Sequence, residues 1–231
     1  MPDWTKHYRK AFAVSYDDGV YQDIRLVQLL NRYGLKGTFN LNSGLMNDPS
    51  SVWYAEGVRV ERMPPDGLPA LYRGHEIASH MTRHQNPTEM NEAELLRDIA
   101  ADRAALEKLR GGEVTGFAYP FGAVNDAVKD ALRRCGIRYA RGVRSTHSFD
   151  PPRDLLDISP TCRHKEEEIF SLADRFLAIR SDTPQLFLLW GHSYEFDMQR
   201  GWERFERFCE KVAGRNDIFY GTCEEVFAPY F

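Results

Sequence analysis

The residues best suited to chemistry are three histidines that fall within ten positions of one another, His75, His80 and His84. His80 and His84 stand four apart, and on a helical turn side chains at that spacing share a face, so both imidazoles can reach one ion. Two imidazoles alone hold a divalent metal loosely, so a carboxylate from elsewhere should complete the site. The adjacent pair Asp17 and Asp18 is the obvious donor. The alternative is a histidine pair that merely lies on a solvated helix face.

The composition is that of a globular protein without nucleic-acid or membrane partners. The 231 residues are 42% apolar and 28% charged, which predicts one domain over residues 1–231. The net charge is −4 and the pI is near 6.0, so neither nucleic acid nor an anionic membrane is an expected partner.

The chain carries no sequence signal for export or membrane insertion. No apolar run is long enough to span a bilayer, and residues 1–10 lack the apolar core of a secretory signal. The four cysteines form no C-x-x-C pair, which favours reduced thiols over a zinc knuckle or a disulfide scaffold. We therefore expect a cytoplasmic location. The cysteines are Cys135, Cys162, Cys209 and Cys223.

Predicted strands and helices alternate along the chain. Short apolar runs predict strands, and apolar residues at helical spacing, closed by a cap or a glycine, predict the helices between them. The predicted strands cover residues 11–16, 37–41, 76–79, 114–119, 139–143, 155–159, 186–190 and 218–221, with a short hairpin around Val58 and Val60. The predicted helices cover residues 22–33, 91–109, 125–135, 167–179 and 203–212, followed by a final turn. This alternation predicts an α/β domain whose mostly parallel sheet is open or closed into a barrel.

Chemically capable side chains follow four of these strands directly. Active sites of β/α folds are built at the C-terminal ends of the strands, so four independent placements at that rim favour a metal site over a solvated face. His75 precedes its strand and should lie at the far end, which favours a structural role. The residues at the active rim are Asp17, Asp18, His80, His84, Tyr119, Pro120, Phe121 and His192.

Four short motifs resemble those of the polysaccharide deacetylases, the NodB-homology domain of carbohydrate esterase family four. Residues 15–19 (SYDDG) look like the T-F-D-D-G signature, and residues 80–84 (HMTRH) are similar to the H-[ST]-x-x-H motif. Residues 118–122 (AYPFG) stand where R-x-P-Y-G is expected, and residues 188–192 (LLWGH) look like the closing L-x-L-x-H. The motifs occur in the family's order and span nearly the whole chain.

The resemblance implies a distorted (β/α)7 barrel that holds one divalent metal and removes the acetyl group from an N-acetylated sugar. Zinc is the metal we expect first, with cobalt, nickel, iron and manganese as alternatives. The resemblance makes Asp17 the general base and His192 the general acid, and it gives the backbone N–H of Phe121 to the oxyanion. The implied metal ligands are Asp18, His80 and His84.

The chemistry of these residue types supports the same roles. An ion held by three protein ligands keeps positions open for a water and for the substrate carbonyl oxygen. Asp18 can then serve the ion while Asp17 stays free to accept a proton. His192 suits proton donation to nitrogen near neutral pH, because the pKa of a histidine is ordinarily about 6.5.

The chain departs from the family pattern at the residues that support the acid and the base. Ala118 stands where the family has an arginine that tethers the base, and we predict that Arg163 takes over this task and holds Asp17. The acidic partner of the catalytic histidine is also not obvious, and Asp154 and Asp157 are the nearest candidates. The candidates for substrate contact are Tyr119, Trp190, Tyr194 and Glu195.

Three other functions compete with sugar deacetylation. Related enzymes open linear ureides, imides or formamides, and the absence of an export signal favours such a small intracellular substrate. Non-haem iron oxygenases also use two histidines and one carboxylate, but they normally have an all-β fold. A catalytically silent sugar-binding module is the third alternative. The missing arginine favours it, whereas Asp17 and His192 beside the ligands count against it.

Overall fold

The computed structural model describes residues 3–198 and 200–231, and strands alternate with helices through most of them. The strands are β1 Lys10–Asp17, β2 Gly37–Leu41, β3 Trp53–Ala55, β4 Val58–Val60, β5 Glu76–Ser79, β6 Gly116–Ala118, β7 Tyr139–Arg141, β8 Cys162–Arg163, β9 Gln185–Gly191 and β10 Ile218–Tyr220. The helices are α1 Asp23–Arg32, α2 Leu68–Leu71, α3 Glu92–Arg110, α4 Asp126–Arg134, α5 Ile169–Ala178, α6 Glu195–Met198, α7 Trp202–Val212 and α8 Cys223–Phe227.

Eight strands form one sheet whose pairings, among the described residues, are all parallel. Their order is β7-β6-β5-β2-β1-β9-β8, and β10 pairs with the first half of β1, which β2 does not reach. All residues of β1 and β2 are buried, as expected for parallel strands covered on both faces. The sheet curls into a distorted (β/α)7 barrel, which confirms the predicted fold class. The pair β3 and β4 is a separate antiparallel hairpin.

The gap between the edge strands β7 and β8 is closed by an irregular segment. Gly142 N–H donates to Ile158 O at 2.8 Å on one side, and Thr161 N–H donates to Leu188 O at 2.9 Å on the other. The strand predicted over residues 155–159 is therefore wrong, because only one bridge pairs this segment with β7. The side chain of Asp154 accepts from Leu156 N–H at 2.9 Å, and this local bond competes with a strand ladder.

Helix α3 shows that local signals set the helix boundaries correctly. Asn91 and Glu94 form the predicted capping box, and Gly111 ends the helix with a φ of 74°. The buried face of α3 carries Leu95, Ile99 and Leu106. Within the described ranges, no helix has both the length and the apolar character needed to cross a bilayer.

At the rim opposite the predicted site, α8 caps the barrel through a buried polar network. The carboxyl group of Glu76 accepts from Thr38 Oγ1 at 2.7 Å, from Glu224 N–H at 2.9 Å and from Tyr139 Oη at 2.5 Å. Burial, and then the nearby Glu224 carboxylate, raise the pKa of Glu76 to about 7. Between pH 4.5 and about pH 7, the folded protein therefore holds a proton on the Glu76 carboxyl group that the unfolded chain releases.

Replacing Glu76 by Gln is expected to flatten the pH dependence of stability. The stabilisation due to the bound proton is complete below pH 4.5 and is lost as the pH rises through about 7. That loss in the free energy of unfolding is on the order of 3 kcal/mol. Gln does not titrate, and its carbonyl oxygen can take the place of Oε2 and accept from Thr38 Oγ1 and Glu224 N–H. The variant should therefore be the more stable protein at about pH 8.

Urea unfolding at about pH 5 and about pH 8 measures this difference. Glu113→Gln is the matched control, because the Glu113 side chain is 65% exposed. If the wild-type protein and Glu76→Gln lose the same stability between the two pH values, Glu76 does not carry the proton.

Candidate active site

Eleven residues are predicted above as metal ligands, acid, base, tether of the base, oxyanion donor or substrate contacts, and one pocket of about 650 Å³ gathers ten of them. They are Asp17, Asp18, His80, His84, Tyr119, Phe121, Arg163, Trp190, His192 and Tyr194. The eleventh, Glu195, is 6% exposed and lies next to His192 without lining the pocket. The pocket lies at the C-terminal ends of β1, β5, β6, β8 and β9, as the strand-end argument predicts.

Three residues in this pocket form a set able to hold a metal ion. One potential ligand atom from each of Asp18, His80 and His84 lies within 4.8 Å of the other two. His80 is fully buried, and its Nδ1 donates to Ala118 O at 2.7 Å, which leaves the lone pair on Nε2. Among the described residues, none hydrogen-bonds this Nε2. Burial lowers the pKa of His80 to about 4, so the ring is neutral, as a metal ligand must be.

The two histidines do not lie on a helical turn, which corrects the expectation from their spacing. Met81 and His84 have φ of 63° and 53°, in the left-handed region that a right-handed helix excludes. The carbonyls of this turn bond to the segment that follows β2 instead. Asn42 Nδ2 donates to His80 O at 2.5 Å, and Gly44 N–H donates to Thr82 O at 2.9 Å. Tertiary contacts therefore bring the two rings together, at a centroid distance of 4.7 Å.

The carboxylate of Asp17 is held by Arg141, so the prediction that Arg163 tethers it is wrong. Arg141 is 1% exposed, and its Nη2 donates to Asp17 Oδ1 while its Nε donates to Ser15 Oγ at 3.1 Å. The Arg163 guanidinium bonds to Glu195 instead. Burial alone would raise the pKa of Asp17, but the Arg141 guanidinium, with smaller contributions from His80 and His192, lowers it to about 2.

The position of Arg141 explains how an arginine can reach Asp17 although residue 118 is an alanine. Ala118 and Arg141 are register partners on the neighbouring strands β6 and β7. Adjacent strands lie about 4.8 Å apart, so the guanidinium enters from one strand further along the sheet than in the family pattern. A signal was present in the sequence, since Arg141 is a charged residue inside a predicted strand of a mostly parallel sheet, and strands of parallel sheets are ordinarily buried.

Replacing Arg141 by Leu is expected to lower kcat/KM about 100-fold, because Asp17, the predicted general base, loses the group that orients it and keeps it ionised. Introducing Ala118→Arg into that variant should recover part of the loss, since the second arginine starts from the adjacent strand. Acetate release measures the change in activity of each variant, and the melting temperature measures any change in its stability. The exposed Arg144 provides the control variant Arg144→Leu. Full activity in Arg141→Leu would contradict the tether.

His192 faces both aspartates across the pocket. Its Nε2 lies 4.0 Å from Asp17 Oδ2 and 4.0 Å from Asp18 Oδ2. On the other side of the ring, Nδ1 lies 3.6 Å from Glu195 Oε2 and 3.3 Å from Arg163 Nη2. Burial alone would lower the pKa of His192, but the surrounding carboxylates, Glu195 first, raise it above its ordinary value.

Glu195 is therefore the acidic neighbour of His192, which corrects the choice of Asp154 or Asp157. Asp154 bonds Lys129 at 3.2 Å, and Asp157 is exposed. Glu195 begins helix α6 only three positions after His192, so it was within reach of the sequence argument. The sequence predicts Glu195 as a substrate contact instead, because nothing local shows which way its side chain turns.

Aromatic residues form the remaining walls. The Trp190 ring contacts two guanidinium groups, and its centre lies 5.0 Å from Cζ of Arg141 and 4.9 Å from Cζ of Arg163. Tyr119 is buried, and its hydroxyl donates to Leu156 O at 2.6 Å, so mainly its ring faces the pocket. Phe121 is 67% exposed and has a φ of 59°. Among the described residues, none accepts a hydrogen bond from its backbone N–H.

Comparison with known proteins places this site in a family. The sequence profile of the polysaccharide deacetylases matches residues 5–140, which is more than half of the chain. The chain belongs to the polysaccharide deacetylase family. The recognised motifs and the barrel agree with this assignment. Among curated proteins, a gellan lyase of Bacillus sp. is 24% identical over 160 residues, or 68% of this chain. This chain spans only 6% of the length of that lyase, so the activity of the lyase is not carried over.

Solved structures of this family share the fold. A Mycobacterium smegmatis protein assigned to the polysaccharide deacetylases superposes with a TM-score of 0.68 at 14% identity, covering 97% of this chain and 91% of its own. A family 4 carbohydrate esterase from Streptomyces lividans, in complex with acetate, gives 0.56 at 16% identity, with 93% of each chain covered. A family 4 acetyl xylan esterase from Clostridium thermocellum, in complex with a cobalt ion, gives 0.55 at 16%, covering 94% and 90%. At such identities the similarity shows the fold alone.

Proposed function

We propose that this polysaccharide deacetylase family member is a metal-dependent hydrolase that removes the acetyl group from an N-acetylated sugar. The observation that carries the proposal is the buried Nε2 of His80, which no residue in the described part of the chain hydrogen-bonds, and which belongs to the Asp18, His80 and His84 set beside Asp17 and His192. A neutral imidazole nitrogen, a second imidazole and a carboxylate are the donors that zinc prefers. When bound, a divalent ion would polarise the acetyl carbonyl and acidify a water.

Asp17 is the proposed general base, and its contacts identify the oxygen that accepts the proton. Oδ1 is occupied, because it accepts from Asn40 Nδ2 at 2.8 Å and from Arg141. Oδ2 is the oxygen that faces His192 Nε2 across the pocket. The proton of the attacking water therefore moves to Oδ2, while Arg141 holds the carboxylate in place.

His192 is the proposed general acid, and it donates from Nε2 to the departing nitrogen. The opposite ring nitrogen lies against Glu195 and Arg163, which orients the ring with Nε2 towards the two aspartates. Glu195 lies beside the imidazole and favours its protonated form. The backbone N–H of Phe121 is the proposed donor to the oxyanion.

The surface beside the pocket favours a sugar chain over a small amide. A hollow of about 540 Å³ shares Arg62 with the pocket, and another of about 840 Å³ shares His84 and Phe121. Tyr54 in the first hollow is 70% exposed, and Phe121 beside the second is 67% exposed. Exposed aromatic rings next to a polar site provide flat apolar surfaces on which sugar rings can stack. We infer that units on both sides of the reacting sugar contact the protein.

Acetate release from N-acetylated monosaccharides, disaccharides and longer oligomers tests the function, with a linear ureide and a formamide as competing substrates. We expect kcat/KM to rise with chain length and the small amides to react poorly. Tyr54→Ala should lower kcat/KM on the longer chains by about threefold to tenfold. Tyr230→Ala is the control, because Tyr230 is also exposed but lies in the C-terminal segment. Faster hydrolysis of a ureide or formamide than of any sugar would overturn the proposal.

A further inference from the structure

Arg62 comes from the long segment between β2 and β5, which the sequence analysis left without a function. The backbone of this segment pairs with the turn that follows the two aspartates. Val20 and Arg62 form an antiparallel bridge, and Met63 N–H donates to Gly19 O at 2.9 Å. This pairing delivers the Arg62 side chain to the pocket beside Asp18.

The Arg62 guanidinium is held on three sides. Its Nη2 donates to Asp18 Oδ1 at 2.7 Å, and its Nε donates to Asn42 Oδ1 at 3.1 Å. Its Cζ atom lies over the Trp53 ring, 4.8 Å from the ring centre. Arg62 is 9% exposed and Asp18 is 5% exposed, so water does not replace these contacts. The geometry uses the fork of an arginine, because two acceptors are bound at once.

Asn42 extends the network to the histidine turn. Its Nδ2 donates to His80 O at 2.5 Å and to Met81 O at 3.1 Å. Arg62 and Asn42 together therefore connect Asp18 with the backbone of the turn that carries both histidines. Arg62, which lies outside the recognised motifs, thus contacts the proposed metal ligand Asp18 directly. Through Asn42 it also supports the turn that carries His80 and His84.

We propose that Arg62 is a positioning residue of the metal centre that leaves Asp18 one oxygen, Oδ2, for the ion. The proposal rests on the metal site given under the proposed function. A guanidinium beside a divalent cation repels it, so an increase in metal affinity does not account for this arginine. Fixing the Asp18 carboxylate does account for it. A carboxylate that can bind the ion through only one oxygen keeps the coordination number low and leaves positions open for reactants.

The visible spectrum of cobalt(II) tests this directly, since its absorption weakens as the coordination number rises. In the cobalt-loaded protein, Arg62→Met and Arg62→Gln should free Oδ1 to bind the ion and lower the visible absorption severalfold. Arg62→Lys keeps a charge near Asp18 but cannot bind Asp18 and Asn42 together, so its spectrum should be intermediate. Arg59→Met is the matched control, because Arg59 lies three positions before Arg62 in the same segment and its side chain is 55% exposed.

Affinity alone is a poor readout, because losing the charge strengthens metal binding while losing the geometry weakens it. Circular dichroism of each variant establishes that it is folded before its spectrum is compared. Spectra of Arg62→Met and Arg62→Gln that superimpose on the wild-type spectrum would overturn the proposal. So would a Met variant closer to wild type than the Lys variant, since this pattern would indicate a packing role.

The test separates this inference from the proposed function. A wild-type protein that binds cobalt and shows the expected variant spectra, yet releases no acetate, would support the role of Arg62 and refute the deacetylase activity. A wild-type protein that binds no cobalt would refute the metal site and the role of Arg62 together.

Discussion

Replacing Asp17 by Asn is expected to lower the rate of acetate release by on the order of 10²-fold or more while the metal stays bound. Asn keeps the shape of the side chain, and its oxygen can still accept from Asn40 and Arg141 as Oδ1 does. The amide nitrogen then replaces Oδ2, the oxygen that faces the pocket, and an amide nitrogen cannot accept a proton. The proposed metal ligands are not altered by this change.

Steady-state kinetics on an N-acetylated oligosaccharide measure the loss, and elemental analysis of the same sample measures the metal. Asp157→Asn is the matched control, because the earlier candidate Asp157 is exposed. Rates within a few-fold of wild type would remove Asp17 from the mechanism. A large loss of rate together with loss of the metal would mean that Asp17 supports the ion rather than the proton transfer.

Replacing His80 or His84 by Ala is expected to abolish stoichiometric metal binding, because each change removes one of three protein donors. The effect on folding should differ between the two variants. His80 is fully buried and also bonds Ala118 O, so its loss leaves a cavity and an unpaired carbonyl. His84 is only partly buried, so His84→Ala should fold with a melting temperature closer to that of the metal-free wild type.

Elemental analysis and zinc titration by calorimetry measure the metal content of the variants. His7→Ala is the control, because His7 is exposed and precedes the N-terminal end of β1, whereas the pocket lies at the C-terminal end of that strand. Full metal content in both His80→Ala and His84→Ala would refute the proposed metal site. Loss in only one of them would show that the ion takes a different third ligand.

The sequence by itself determined most of the strands and helices, and it determined which motif side chains reach the active rim. Strands β2 and β5 have the predicted bounds, and α3 has its predicted cap, because apolar periodicity and capping act over a few neighbouring residues. The functional residues of the four motifs lie at the C-terminal ends of strands, and the C-terminal ends of parallel strands meet at one rim. Their gathering into one pocket therefore followed from the alternation of β and α elements.

The tertiary structure alone decided which residues support that set. Arg141 holds Asp17, Arg62 holds Asp18, and Glu195 lies against His192. Arg141 and Arg62 stand 124 and 44 positions from the aspartates that they bind. Strand order, and the pairing of a long irregular segment with a turn, bring such residues together, and no local propensity encodes either.

The turn that carries His80 and His84 shows the same limit at short range. A spacing of four residues suits a helix, but the turn is held by Asn42 and Gly44 from another segment. Bonds from outside the turn outweigh its own helical tendency, because they satisfy the carbonyls that a helix would otherwise use. The sequence predicted that the two imidazoles meet, and the packing of a distant segment decided how.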